Sequence, residues 1–327
     1  MVQFWFERRE LVCGARFRIE SSKSTQTEGK AMNIKDLNYF HELVHTRNFS
    51  EVAKKFKVSQ PTISLSIRRL EEEFQTTLFS RDQGQHHLEV TISGQQLDEH
   101  VITILDQINI AHNEINNVNT KKVTLGLPPI MTSIFFPSIA ANLNKNGLLD
   151  SIIPFAKGSA DLIKMLLNGQ LDMTLIGSIE ELDRNQLFVE QLAQSPFKII
   201  VGKESPHFGK DHIYFSELSD DNFISLDTSF IHSKALKVFS HNSHFRPNII
   251  YQSNEAQVIQ EMVQNNVGVG FLVDAAIKPN SDMKVLNLLD EDQPTFHMNL
   301  AYRNDHILNP LQKQVMDLIL EATKNRE

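Results

Sequence analysis

Phe49-Ser-Glu-Val-Ala-Lys-Lys-Phe-Lys-Val-Ser-Gln-Pro-Thr-Ile-Ser-Leu-Ser-Ile-Arg-Arg-Leu-Glu71 is the stretch whose reading decides the fold. Val52, Ala53 and Phe56 mark one apolar helix face, and Ile63, Ile67, Leu70 and Phe74 mark a second, at spacings of four, three and four. Ser50 and Ser59 stand where N-caps are expected, and Pro61 falls in an opening turn, where its missing N–H costs nothing. Just upstream, Leu37, Phe40, Leu43 and Val44 stripe another short helix. Three helices this close must share one core. The outer face of the third is polar: Gln60, Thr62, Ser64, Ser66 and Arg68 can hydrogen-bond base edges or phosphates, and Arg69 is expected on the DNA backbone. Glu71, Glu72 and Glu73 lie clear of it. A solvated helix of an ordinary bundle has the same composition, so polarity alone leaves both readings open.

Downstream, Leu78-Phe79-Ser80-Arg81, a polar turn containing Gly84, and His87 to Val90 read as a small β-hairpin. Thr91 and Ser93 then offer caps for a long helix. In it Leu97, Val101, Ile104, Ile108, Ala111, Ile115 and Val118 alternate spacings of four and three, a heptad seam. Such a narrow seam suits packing across a dimer axis; docking on the chain's own C-terminal part is the alternative. From Val123 onward strands and helices alternate to a closing helix at Pro310 to Thr323, which predicts parallel sheets covered by helices. About 200 residues of such structure can form two lobes around a cleft, although the pattern does not choose between one sheet and two.

The bulk properties exclude more than they assign. At 327 residues more than one folding unit is expected, and the net charge of −8 confines any nucleic-acid contact to a local surface. The single cysteine, Cys13, allows neither an intramolecular disulfide nor a thiolate zinc cluster, and suits a cytoplasmic location. No apolar run approaches the roughly 20 residues that span a bilayer, so no membrane association is expected. Residues 1–31 mix arginines with aromatics but lack the apolar core and cleavage site of a signal peptide, and Glu7, Glu10 and Glu20 spoil a transit peptide. They are read as a non-native or mis-assigned extension, with Met32 as the natural start.

The quoted stretch, with Leu78-Phe79-Ser80-Arg81 and Thr91-Ile92-Ser93-Gly94, closely resembles the signature of LysR-type regulators. Ala53 matches the family's small residue where the two motif helices cross, Ser59-Gln60-Pro61 its recognition-helix start, Arg81 its wing, and Thr91 and Gly94 its lead-in to the linker helix. The resemblance implies an α+β multidomain protein with a winged helix-turn-helix over 32–91 and a linker and dimerisation helix over 92–120. It also implies a two-lobed, periplasmic-binding-protein-like effector domain over 121–327, with lobe I about 121–193 and 297–327 and lobe II about 194–296. Expected partners are a double-stranded DNA operator, a small-molecule effector, RNA polymerase and further copies of the chain, as homodimer or homotetramer. Loops at helix N-termini are natural carboxylate seats, which singles out Met131, Thr132, Ser133, Ser159, Thr228 and Phe230; capping or turn-filling is the bland reading of each. Leu65 and Ser66 depart from the longer polar side chains of many members, which narrows base readout or shifts the preferred operator. Within the family, Met32-Asn-Ile-Lys-Asp-Leu and the acidic, His- and Gln-rich texture are similar to the activators of malolactic fermentation genes, and this similarity implies a malate-like organic acid as effector.

Other functions find little support. There is no G-x-S-x-G elbow and no phosphate loop ending in Lys-Ser/Thr, and no catalytic residue, cofactor or metal is expected. His207, His212, His232, His241 and His244 are scattered without metal-ligand spacing and are expected in surface or capping roles. A solute-binding protein with a fused helical domain shares the cleft but requires export.

Overall fold

A computed structural model describes residues 31–81 and 88–324, excepting the side chains of Arg81 and of residues 118–120. Residues 1–30, Gly84 and the His86-His87 pair expected in the wing therefore lie outside the described residues. The chain divides into two compact units, Met1–Leu105 and Asp106–Glu327.

In the first unit, α1 (Ile34–Thr46), α2 (Phe49–Phe56) and α3 (Gln60–Phe74) precede β1 (Phe79–Arg81) and β2 (Leu88–Val90). The two strands pair antiparallel, Phe79 opposite Val90. The helix faces bury as their spacing dictates: Leu37, Phe40, Leu43, Val52, Ala53, Ile63, Ile67 and Leu70 share one core with Leu78. The spacing fails at its end, where Phe74 is 46% exposed. Asn33 caps α1 through a reciprocal capping box with Asp36. Asn48, not Ser50, caps α2, its side chain accepting from the N–H groups of Ser50 and Glu51. Thr91 accepts from the Gly94 N–H at 3.0 Å, starting α4 (Ile92–Thr120). A Cβ on Gly94 would come within 2.4 Å of the Leu78 carbonyl oxygen, so the linker helix leaves the hairpin over a residue without a side chain.

Helix α4 belongs to both units. Leu97, Val101 and Leu105 pack on the first core, and Val101 is fully buried there. Val101 therefore cannot lie at a dimer axis, and Leu97 is partly spent in the same way: the heptad pattern finds an apolar face without naming what covers it. Farther along, Ile110 is buried, Asn113 donates to the Asn168 carbonyl, and Glu114 accepts from Arg303 at 2.7 Å in the second unit. That docked face differs from the seam, whose Ile104 and Ile115 remain 43% and 62% exposed, with Ala111 exposed and Ile108 half-buried. The Val118 side chain lies outside the described residues.

The second unit runs β3 (Val123–Gly126), α5 (Pro129–Lys145), β4 (Ile152–Phe155), α6 (Ser159–Leu167), β5 (Met173–Ser178), β6 (Leu187–Gly202), β7 (His212–Ile213) and β8 (Asn222–Leu226). It continues with α7 (Ile231–Asn242), β9 (Asn248–Ser253), α8 (Ala256–Gln264), β10 (Val269–Val273), β11 (Met283–Leu288), β12 (Thr295–Arg303) and α9 (Pro310–Thr323). The strand order is β4-β3-β5-β12-β6-β10-β8-β9, with β11 beside β6 and β7. The sheets are mixed rather than parallel, because β6 runs antiparallel to β12, β10 and β11. Strand β6 joins the lobes: through Pro196 it pairs with β12, and from Phe197 with β10. Pro196, which has no N–H to give, stands where the chain leaves one ladder for the other.

Candidate nucleic-acid interface and effector cleft

Over residues 60–68 of α3 the exposed residues are Gln60, Pro61, Ser64, Leu65 and Arg68, one stripe opposite the buried Ile63, Ile67 and Leu70, and Glu72, Glu73 and Phe74 are exposed at the end of the helix. Arg68 pairs along the helix with Glu72 at 2.7 Å, and both side chains are largely exposed. Ser59 begins the helix without capping it; its hydroxyl meets that of the half-buried Thr62 at 2.9 Å. Two expected contacts face inward. Ser66 is fully buried, and Arg69 reaches back to Asp36 on α1 through a two-pronged ion pair while donating to the Ser66 hydroxyl at 2.9 Å. The physical reason is the burial of Asp36, which is fully enclosed and needs a cation. Burial opposes ionisation of Asp36. Hydrogen bonds from Arg69, Ser66 and the Asn33 N–H, with the guanidinium charge, outweigh it and hold the carboxyl below the usual range. Arg69 and Ser66 thus set the angle between α1 and α3 rather than touch DNA. The Arg81 backbone is in the wing strand, and its side chain lies outside the described residues.

In the second unit, Pro128, Pro129, Ile130 and Met131 from the start of α5, Gly158 and Ser159 from α6, Phe230, Ile231 and His232 from α7, and Phe296 line a cleft between lobes. Its free volume is about 20 Å³, room for roughly one water. The three helices that begin there carry no side-chain cap at their N-termini. A Cβ on Gly158 would lie 3.0 Å from the Ser229 carbonyl oxygen, so the lobes touch at a residue that has no side chain. Of the expected effector residues, Met131, Ser159 and Phe230 line this cleft. Ser159 accepts the Gly177 N–H at 3.1 Å, tying α6 to β5. Thr132, Ser133 and Thr228 do not line it. The hydroxyls of Thr132 and Ser133 bond backward to the Pro128 and Ile130 carbonyls of their own helix turn, and Thr228 is exposed.

His232 is the cleft residue that its sequence context concealed. It is buried rather than superficial or capping, packed edge-on to Phe197 at 5.3 Å and tilted against Phe296 at 5.6 Å. The Val273 N–H donates to its Nε2 at 3.2 Å, which requires a neutral ring with the proton on Nδ1. Desolvation pushes its pKa down to about 3. A 3.6-residue reading places it on the inner face of α7 with Ala235, Leu236 and Phe239, the periodicity that could have revealed it.

Comparison with known proteins agrees with both halves. Residues 34–95 match the model of the bacterial regulatory helix-turn-helix protein, lysR family, and residues 116–324 match the LysR substrate binding domain. The chain belongs to the LysR family of transcriptional regulators. The malolactic fermentation system transcriptional activator of Lactococcus lactis is 32% identical over 88% of this LysR-type regulator and 98% of its own length. The HTH-type transcriptional regulator AlsR of Bacillus subtilis is 25% identical, over 90% and 98%. Among solved structures, HinK, a LysR family transcriptional regulator from Pseudomonas aeruginosa, is 18% identical with a TM-score of 0.50 over 89% of this chain and 98% of that one. The effector binding domain of QuiR in complex with shikimate is 18% identical, with a TM-score of 0.53 over 63% and 98%. These relatives are regulators, not enzymes, and the protein is a DNA-binding transcription regulator with an effector-binding domain. Among the described residues no helix is long and apolar enough to cross a membrane.

Proposed function

We propose that α3 lies in the major groove of a duplex operator and reads it with Gln60, Ser64 and Leu65, while Ser59, Pro61, Thr62, Arg68 and Arg81 position it on the phosphates. The carrying observation is the exposed stripe of Gln60, Pro61, Ser64, Leu65 and Arg68 along residues 60–68 of a helix whose other face is core. Gln60 has the bidentate geometry that suits adenine, and the 55% exposed Leu65 offers an apolar surface for a thymine methyl. Ile104, Ile108, Ala111 and Ile115 pair two chains, so that an inverted repeat is read at helical spacing, and a dimer of dimers forms the tetramer.

The effector is a small organic acid of malate-like chemistry, held between lobes near Met131, Ser159, Phe230 and His232. Three uncapped helix N-termini at one cleft favour a carboxylate, and the neutral His232 supplies no charge that competes with it. The malolactic fermentation system regulated by the Lactococcus relative and the shikimate held by the QuiR domain support an organic acid. With only about 20 Å³ free, binding requires the lobes to part and reclose. That movement changes DNA geometry and access for RNA polymerase, which makes the protein an effector-controlled activator of the cytoplasm. A thermal-shift screen of organic acids, paired with operator affinity at fixed salt, tests this: the effector raises the melting temperature and changes DNA affinity together. An acid that stabilises the protein and leaves DNA affinity untouched counts against the coupling.

A further inference from the structure

His41 and His45 stand four residues apart on α1, and Asp98 of α4 meets both. His41 Nδ1 lies 2.8 Å from Asp98 Oδ1, and His45 Nε2 lies 3.8 Å from Oδ2. The two imidazoles pack edge to face with centroids 4.6 Å apart, and one donor atom from each of the three residues falls within 4.8 Å of the other two. Asp98 is itself 7% exposed, beside the Val101 core, while 61% of the His45 side chain is open to solvent. None of the three belongs to the DNA-reading stripe or to the seam.

We propose that His41, His45 and Asp98 form a binding site for a divalent transition-metal ion of the Zn²⁺ class, clamping the first helix of the winged domain to the linker helix. Two histidines at i and i+4 present both rings on one helix face, which is a chelating geometry, and a carboxylate from a second element completes a nitrogen and oxygen donor set suited to first-row ions. Three protein ligands leave a fourth position for water. Tetrahedral coordination places donor atoms about 3.3 Å apart, so the widest gap must close by about 1.5 Å. Rotation of the exposed His45 side chain accomplishes that without moving either helix. The ion takes the place of the proton between His41 Nδ1 and Asp98, and the neutral imidazole then carries its proton on Nε2. A bound ion gives the largely buried Asp98 carboxylate a fixed counter-charge and joins α1 to α4 across a short side-chain bridge. The linker helix is then held at one angle to the recognition helix, and the metal acts on operator affinity through that angle.

The test uses the full chain after chelator treatment. Calorimetric titration with Zn²⁺ is expected to show a single equivalent bound, and Co²⁺ is expected to give visible d–d absorption. His45→Ala, at an exposed position, should keep the metal-free melting temperature while losing at least about tenfold in Zn²⁺ affinity together with the Co²⁺ bands. Asp98→Asn should lose the same signals. Because the chain has 13 histidines, retention of wild-type Zn²⁺ affinity in both variants would place the ion elsewhere and overturn the proposal. Absence of Zn²⁺ binding by the wild-type chain would overturn it equally, leaving a plain His–Asp hydrogen bond.

Discussion

Arg69→Ala is the perturbation that separates scaffold from reading face most cleanly. The Asp36 side chain is 1% exposed and that of Arg69 24%, so truncating the arginine strands a carboxylate in the interior with only the Ser66 hydroxyl and the Asn33 N–H for company. Breaking a buried pair on one side costs about 3–5 kcal/mol, and the two remaining hydrogen bonds favour the lower figure. In a unit of this size 1 kcal/mol moves the melting temperature by about 4–8 °C, so a fall of at least about 12 °C is expected. Arg68→Ala removes an exposed pair worth about 0.3–0.5 kcal/mol and leaves the fold nearly unchanged. It should instead lower the salt dependence of duplex binding by about 0.9 in the log–log slope, one phosphate contact. The sign with pH follows from the lowered Asp36 pKa: the pair stabilises above the carboxylate's unfolded value and its contribution disappears as pH falls through the folded one. Thermal unfolding by circular dichroism, with hydrogen exchange resolved on α1 and α3, reads the stability change, and anisotropy titrations at several salt concentrations read the slope. An Arg69→Ala protein as stable as wild type, or one that loses the same salt slope as Arg68→Ala, would refute this assignment.

Three further outcomes are expected. His232 is neutral when folded and titrates near 6.5 when unfolded, so acid costs the native state about 1.4 kcal/mol per pH unit below that value until about 3, and His232→Gln should flatten this part of a stability–pH profile. Gly158→Ala places a methyl 3.0 Å from a backbone oxygen across the cleft, which should favour the open lobes and weaken effector binding by about tenfold, a loss of about 1.4 kcal/mol measurable by titration. Ile104→Asp with Ile108→Asp should lower the mass seen in sedimentation while each chain stays folded; Val101→Asp, by contrast, should unfold the first unit, and the reverse pattern would contradict the division of the helix.

The readable parts of this protein were those governed by local period. The core face of α3 and the strands Asn222–Leu226 and Val269–Val273 follow directly from apolar spacing. What spacing conceals is partnership. Ser66 is small and polar, and only Asp36, thirty positions upstream, explains its burial. Val101 continues the heptad of Ile104 and Ile108, yet it faces its own core. Pro137 invites a helix start because proline suits a first turn, but α5 already begins at Pro129 and carries Pro137 inside it. Strand β6 extends back to Leu187 through half-exposed residues whose alternation is weak, and its role in joining the lobes depends on the distant β12. Of the residues expected for the effector from helix starts, Met131, Ser159 and Phe230 line the cleft. Which side chains face inward was decided by tertiary packing, so His232 entered and Thr132, Ser133 and Thr228 left.

The central claim is that one face of α3 reads base sequence, and selection of bound duplexes from a random pool tests it directly. The wild-type chain should yield an inverted repeat, Gln60→Ala and Leu65→Ala should each relax the preference at particular positions of that repeat, and Glu73→Ala should leave it unchanged. Identical preferences in all four proteins would contradict the account.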